Sequence, residues 1–105
     1  MLLLCASEKL QMNKIVLKGH IVVPDSDLAA VEKELPVHIE LTRKEDGCLV
    51  FEVIQDDKEN NKFHVYEEFV SEAAFSNHQQ RVRNSKWGSI TKNVERFYEI
   101  TGLDE

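Results

Sequence analysis

The sequence predicts an α+β domain with elements in the order β-α-β-β-α-β, a ferredoxin-like split unit whose two helices lie on one face of an antiparallel sheet. Three observations predict it. Four runs of strand-like residues, Lys14–Val23, Cys48–Gln55, Lys62–Phe69 and Val94–Thr101, are separated by two stretches whose apolar residues recur at helical spacing. The polar segment Asp56–Asn61 between the second and third runs makes a hairpin. The second run is apolar on both faces, with Cys48, Val50 and Ile54 on one and Leu49, Phe51 and Val53 on the other, so it needs cover on both sides. The helices cover one side. A second copy of the sheet covers the other most economically, which predicts a homodimer whose paired sheets form a dimeric α/β barrel.

The elements follow from local chemistry. In strand one, Ile15, Leu17, Ile21 and Val23 share a face, and Gly19 among them marks a bulge or a close approach of another backbone. Pro24-Asp25-Ser26-Asp27 is a turn and helix start, with Ser or Asp as the expected N-cap. Leu28, Val31, Leu35, Ile39 and Thr42 line one side of the first helix. Pro36 lies within it and predicts a kink or break near Leu35, and Gly47 is the expected C-cap. Strand three sets Phe63, Val65, Glu67 and Phe69 on one face, a carboxylate among aromatic and aliphatic neighbours that requires a partner or a purpose. Ser71 caps the second helix, whose inner face carries Ala74, Phe75, His78 and Val82. A short helical piece near Trp87 precedes strand four, where Val94, Arg96, Tyr98 and Ile100 alternate with Glu95, Phe97 and Glu99.

Composition narrows the function classes. The 105 residues fit one domain, and 42% hydrophobic with 30% charged residues is a globular balance. Residues 1–11 read as an N-terminal extension outside the fold, and 12–105 as a single domain. The apolar start MLLL has no basic residue before it and is too short for a signal peptide or a membrane span. A net charge of −6 without a Lys/Arg cluster argues against nucleic acid as a partner. Cys5 and Cys48 make no disulfide framework, and the usage suits a reducing cytoplasm. The four histidines, His20, His38, His64 and His78, show no metal-ligand spacing, and there is no glycine-rich phosphate loop or nucleophile elbow.

The pattern Gly47-Cys48, Phe51, Val53, Gln55-Asp56, then Phe63, Tyr66-Glu67, Phe69, then Phe75 and His78 resembles the antibiotic biosynthesis monooxygenase domain family, which includes small quinol monooxygenases and an isomerase. The resemblance runs from about Asn13 to Ile100. The spacing from Glu67 to His78 matches the family's spacing from its strand-three glutamate to its helix-two histidine. The family implies a dimeric α+β barrel with a pocket in each subunit. It also implies oxygenation of phenolic substrates without flavin, haem or metal, because a phenolate or enolate is itself electron-rich enough to reduce dioxygen. The protein then supplies a dry pocket, a base and a donor for the developing anion.

One position departs from the family. Members with the Glu and His pattern often carry a second histidine five residues after the first, preceded by proline; here Val82 and Arg83 stand there. The resemblance implies Glu67 and His78 as a proton-handling pair, Arg83 as an anion contact, and Phe51, Phe63, Phe69 and Trp87 as apolar walls; His38, just past Pro36, is a substrate contact if the proline kink aims it inward. Each also has a structural reading. His78 and Glu67 could pin helix to sheet, His38 could face solvent, Arg83 could be a surface charge and Trp87 a core residue. His20 and His64 belong at the surface or at the dimer seam. The functional expectation is a cofactor-independent monooxygenase for a small aromatic or quinol-like compound. The alternatives are an isomerase of a small carbonyl compound using the same pair, and a catalytically silent ligand-binding dimer, which the missing second histidine favours.

Overall fold

A computed structural model describes residues 14–103. The expectation for residues 1–11 therefore lies outside the described residues. The elements are β1 (Ile15–Val22), α1 (Asp25–Arg43), β2 (Cys48–Gln55), β3 (Lys62–Phe69), α2 (Glu72–Arg83), α3 (Lys86–Ile90) and β4 (Glu95–Thr101). The strands pair in the order β2-β3-β1-β4, every neighbour antiparallel, in an open four-stranded sheet. This is the ferredoxin-like α+β order that the sequence predicts.

Side-chain alternation fixes which face the helices cover. Ile15, Leu17 and Ile21 of β1, Phe51 and Val53 of β2, and Phe63, Val65 and Phe69 of β3 are buried beneath them, packed with Val31, Phe75, Trp87 and Val94. The other face keeps apolar groups in the open: Ile54 is 61% exposed and Phe97 50%. His20 stacks on Phe97 with ring centroids 4.8 Å apart, and His64 meets Asp56 at 2.7 Å on the same side of the sheet.

Several local expectations are refined. A bulge between Cys48 and Val50 shifts the register, so Cys48 pairs with Phe69 and packs against the core while Val50 pairs with Glu68 on the opposite face. Strict alternation had placed Cys48 and Val50 together. At Gly19 the register with both neighbours is continuous, so the close approach is the right reading. A Cβ there would lie 1.9 Å from the Phe97 carbonyl oxygen. The first helix does not break at Pro36. It runs unbroken from Asp25 to Arg43, because Val31 before the proline and His38 and Thr42 after it are all buried against the same layer. Its N-cap is Pro24 with no side-chain cap, one step earlier than the Ser/Asp cap expected. Asn61 Nδ2 instead ties this corner down, donating to the Val23 carbonyl at 2.7 Å and to Asp25 Oδ1 at 2.8 Å. The helix ends at Lys44, and Gly47, at φ +86°, serves the turn beyond it.

Candidate active site

Four elements bring the polar side chains together. Alternation in β3 forces Glu67 onto the covered face with Val65 and Phe69. The Ser71 hydroxyl accepts from the Ala74 amide at 3.1 Å and sets the start of α2, so Phe75 and His78, three residues apart, both turn inward. The helix α1 presents His38 and Thr42 at the spacing of Val31. The turn after it, closed by Glu45 N–H to the Thr42 carbonyl at 3.0 Å, aims the Glu45 side chain at α2.

His78 is 5% exposed, and its Nδ1 lies 2.9 Å from Glu45 Oε1. The second Glu45 oxygen accepts from Arg81 Nε, and Arg81 Nη2 donates to the Thr42 hydroxyl at 3.0 Å. A carboxylate held by a guanidinium requires a proton from its other neighbour. Nδ1 of His78 therefore carries the hydrogen, and Nε2 is left as an acceptor. That Nε2 is 4.0 Å from Glu67 Oε1. The predicted pair is thus adjacent but not hydrogen-bonded, and the group that orients His78 is Glu45.

Above this floor His38 stacks on Trp87, with centroids 4.4 Å apart and planes 4° from parallel, and meets the Phe51 ring edge-on at 5.2 Å. The solvent-facing alternative for His38 is corrected: it is 4% exposed. Phe69 is fully buried and supports His78 from behind at 4.9 Å. These groups line a cavity of about 290 Å³, open on one side, between the helices and the sheet. Its lining includes His38, Phe51, Glu67, His78, Arg83 and Trp87 from the predicted set, together with Arg96 and Tyr98 of β4. Phe63 lies elsewhere, beneath a groove between α1 and the edge of β2. The volume sits at the small end of ligand pockets, the size of one substituted ring.

Burial sets the protonation states. It pushes the Glu67 carboxyl up to about 8, with the Glu45 charge adding to the effect, so Glu67 is an uncharged acid at neutral pH. It lowers His38 to about 3, with His78 and Arg81 contributing, so this imidazole stays neutral. It lowers His78 as well, against the opposing pull of Glu45. Tyr98 is pushed up to about 12, by burial first and Glu67 second. Two buried polar atoms, His38 Nδ1 and Glu67 Oε1, have no partner within the protein. Unmet buried groups are costly, and two around one cavity mark it as a place where a ligand's polar atoms fit. Among the described residues no group of three or more His, Cys, Asp or Glu side chains is placed to hold a metal ion.

Sequence reasoning did not find Glu45, Thr42 or Arg81 as parts of the site. Glu45 stands 33 residues from His78 in a charged turn, and no spacing rule connects them. Nor does any helix among the described residues have the length and apolarity to cross a membrane.

Comparison with known proteins agrees with this architecture. A protein from Bacteroides thetaiotaomicron, provisionally described as an antibiotic biosynthesis monooxygenase, superposes with a TM-score of 0.71 at 22% identity, over 89% of this chain and 90% of the other. Similarly described proteins from Deinococcus radiodurans (TM-score 0.66, 19% identity, 87% and 93% of the two chains) and Nitrosomonas europaea (0.68, 15%, 86% and 97%) share the fold. A search of curated proteins returns no match. The sequence pattern of the family described as antibiotic biosynthesis monooxygenase matches residues 15–87, from the first residue of β1 to the tryptophan that stacks on His38. The chain belongs to the antibiotic biosynthesis monooxygenase family.

Proposed function

We propose that the protein is a cofactor-independent monooxygenase acting on a small phenolic or quinol-like compound, with His78 as the base and Glu67 as the proton donor. The observation that carries this reading is the Glu45–His78 hydrogen bond at 2.9 Å, which turns an unprotonated Nε2 toward an uncharged Glu67 on the buried floor of the cavity. Nε2 takes the phenolic proton, and the electron-rich ring adds dioxygen at carbon to give a hydroperoxide. Loss of water breaks the O–O bond and leaves a new carbonyl. A quinol plus dioxygen thus becomes a hydroxyquinone plus water: the substrate supplies all four electrons, one oxygen atom stays on the ring and the other leaves as water. The Glu67 O–H stabilises the developing anion, and its unpartnered oxygen accepts from a substrate hydroxyl. Val53, Val65 and Phe75 keep the cavity wall apolar, which strengthens each of these interactions.

The working unit in this proposal is a homodimer in which the Ile54 and Phe97 face of one sheet packs on its twin. Static light scattering at micromolar concentration tests this part, and a monomeric mass would overturn it. Oxygen uptake with a panel of quinols tests the chemistry. The wild type consumes dioxygen, and His78→Ala lowers kcat by roughly 10²- to 10⁴-fold, the usual contribution of a positioned base. Turnover unchanged in His78→Ala would remove His78 from the mechanism.

A further inference from the structure

The charges around the cavity run against those of the protein. The chain carries a net charge of −6, yet the side chains charged at neutral pH that line the cavity are Arg83 and Arg96, and the one carboxyl in the lining, Glu67, is uncharged. Glu67 sits on the buried floor, while Arg83 and Arg96 are exposed and therefore form its rim. Neither arginine makes an ion pair among the described residues. Arg96 is braced on one side, its Nη2 donating to the Thr91 carbonyl at 3.2 Å and to the Thr91 hydroxyl at 3.4 Å with Tyr98 as a further hydrogen-bond partner, and its five N–H donors exceed these acceptors. The two come from the end of α2 and from β4, so chain proximity does not account for their meeting at one opening. With nineteen acidic residues available, two unpaired guanidiniums on the rim of one cavity are a recognition feature rather than a solvated face.

We infer that the ligand carries a carboxylate or similar anionic group, bound between Arg83 and Arg96 at the rim, while its hydroxylated ring reaches His78 and Glu67 on the floor. The inference rests on the proposed function for the ring chemistry, but the anion site stands on the arginines alone. Phenolic acids then fit better than unsubstituted phenols.

Trp87 is the sole tryptophan and lines the cavity, so its fluorescence reports binding without turnover. Wild-type protein is titrated with a hydroxybenzoate and with its methyl ester. The acid binds about ten- to hundredfold more tightly, the range for charge-assisted hydrogen bonds, and the advantage shrinks as salt is raised. Arg83→Gln combined with Arg96→Gln abolishes the preference, and Arg83→Lys alone keeps part of it. Equal binding of acid and ester, binding of neither, or a preference that survives the double substitution overturns the inference. Oxygen uptake separates the two proposals. Preferred binding of the acid without oxygen uptake by any quinol sinks the oxygenase reading and leaves the anion site. Rapid turnover of neutral quinols with no acid preference does the reverse.

Discussion

Glu67→Gln replaces an uncharged acid by an uncharged amide of the same shape, so the pH dependence of stability isolates its proton. The Glu67 carboxyl is held at about 8 against an ordinary 4.5, a raised value. Between these limits the folded state keeps a proton that the unfolded chain has released, so stability falls as pH rises, by about 1.4 kcal/mol per unit. Over the whole interval the loss is on the order of 4–5 kcal/mol, a large part of the stability of a small domain. His38 works in the opposite direction. Its value of about 3 against 6.5 means the unfolded chain binds a proton that the fold refuses, so stability drops as pH falls below 6.5. Where the two intervals overlap, roughly pH 4.5 to 6.5, the slopes oppose each other, and His78, also lowered by burial, adds to the His38 side. Above 6.5 Glu67 acts alone. Chemical denaturation from pH 5 to 9 at fixed protein concentration, which any subunit association requires, reads this directly. The wild type loses stability from pH 6.5 to 8, and Glu67→Gln stays level there. Parallel profiles for the two proteins would show that Glu67 is ionised in the fold and refute the donor assignment.

Two further predictions concern groups that support the site. Glu45→Gln presents an amide N–H to His78 Nδ1, moves the imidazole hydrogen to Nε2 and lowers kcat by roughly 10²- to 10⁴-fold with little change in KM, measured by steady-state oxygen uptake. Gly19→Ala drives a methyl group into the Phe97 carbonyl, where the Cβ would be 1.9 Å away, and separates β1 from β4. We expect a loss of at least about 3 kcal/mol by denaturant titration, and faster hydrogen exchange in Glu95–Thr101 than in β3.

The legible parts of the fold were those written in short range. Alternation in β3 put Glu67 indoors, and the same rule set Arg96 and Tyr98 on one side of β4. Ser71 announced α2 and so fixed which way His78 points. Misreading came where a local preference met tertiary packing. Pro36 suggests a kinked or broken helix, which leaves the direction of His38 open. Because the helix stays continuous, Val31, His38 and Thr42 remain on one stripe, and His38, for which the sequence leaves pocket and solvent both open, becomes the stacking partner of Trp87. The bulge at Cys48–Val50 is silent for a similar reason: both residues are apolar, so either face accepts them in the pattern. Glu45 left no signal at all, since its role depends on a turn and a helix that meet only in the fold.

Isotopic labelling addresses the central claim most directly. The purified protein is given a quinol under labelled dioxygen, and the product and water are analysed by mass spectrometry. The proposed chemistry puts one labelled oxygen atom in the product and one in water. An isomerised or otherwise unlabelled product would contradict it, and would leave the Glu45–His78–Glu67 cluster to move protons alone.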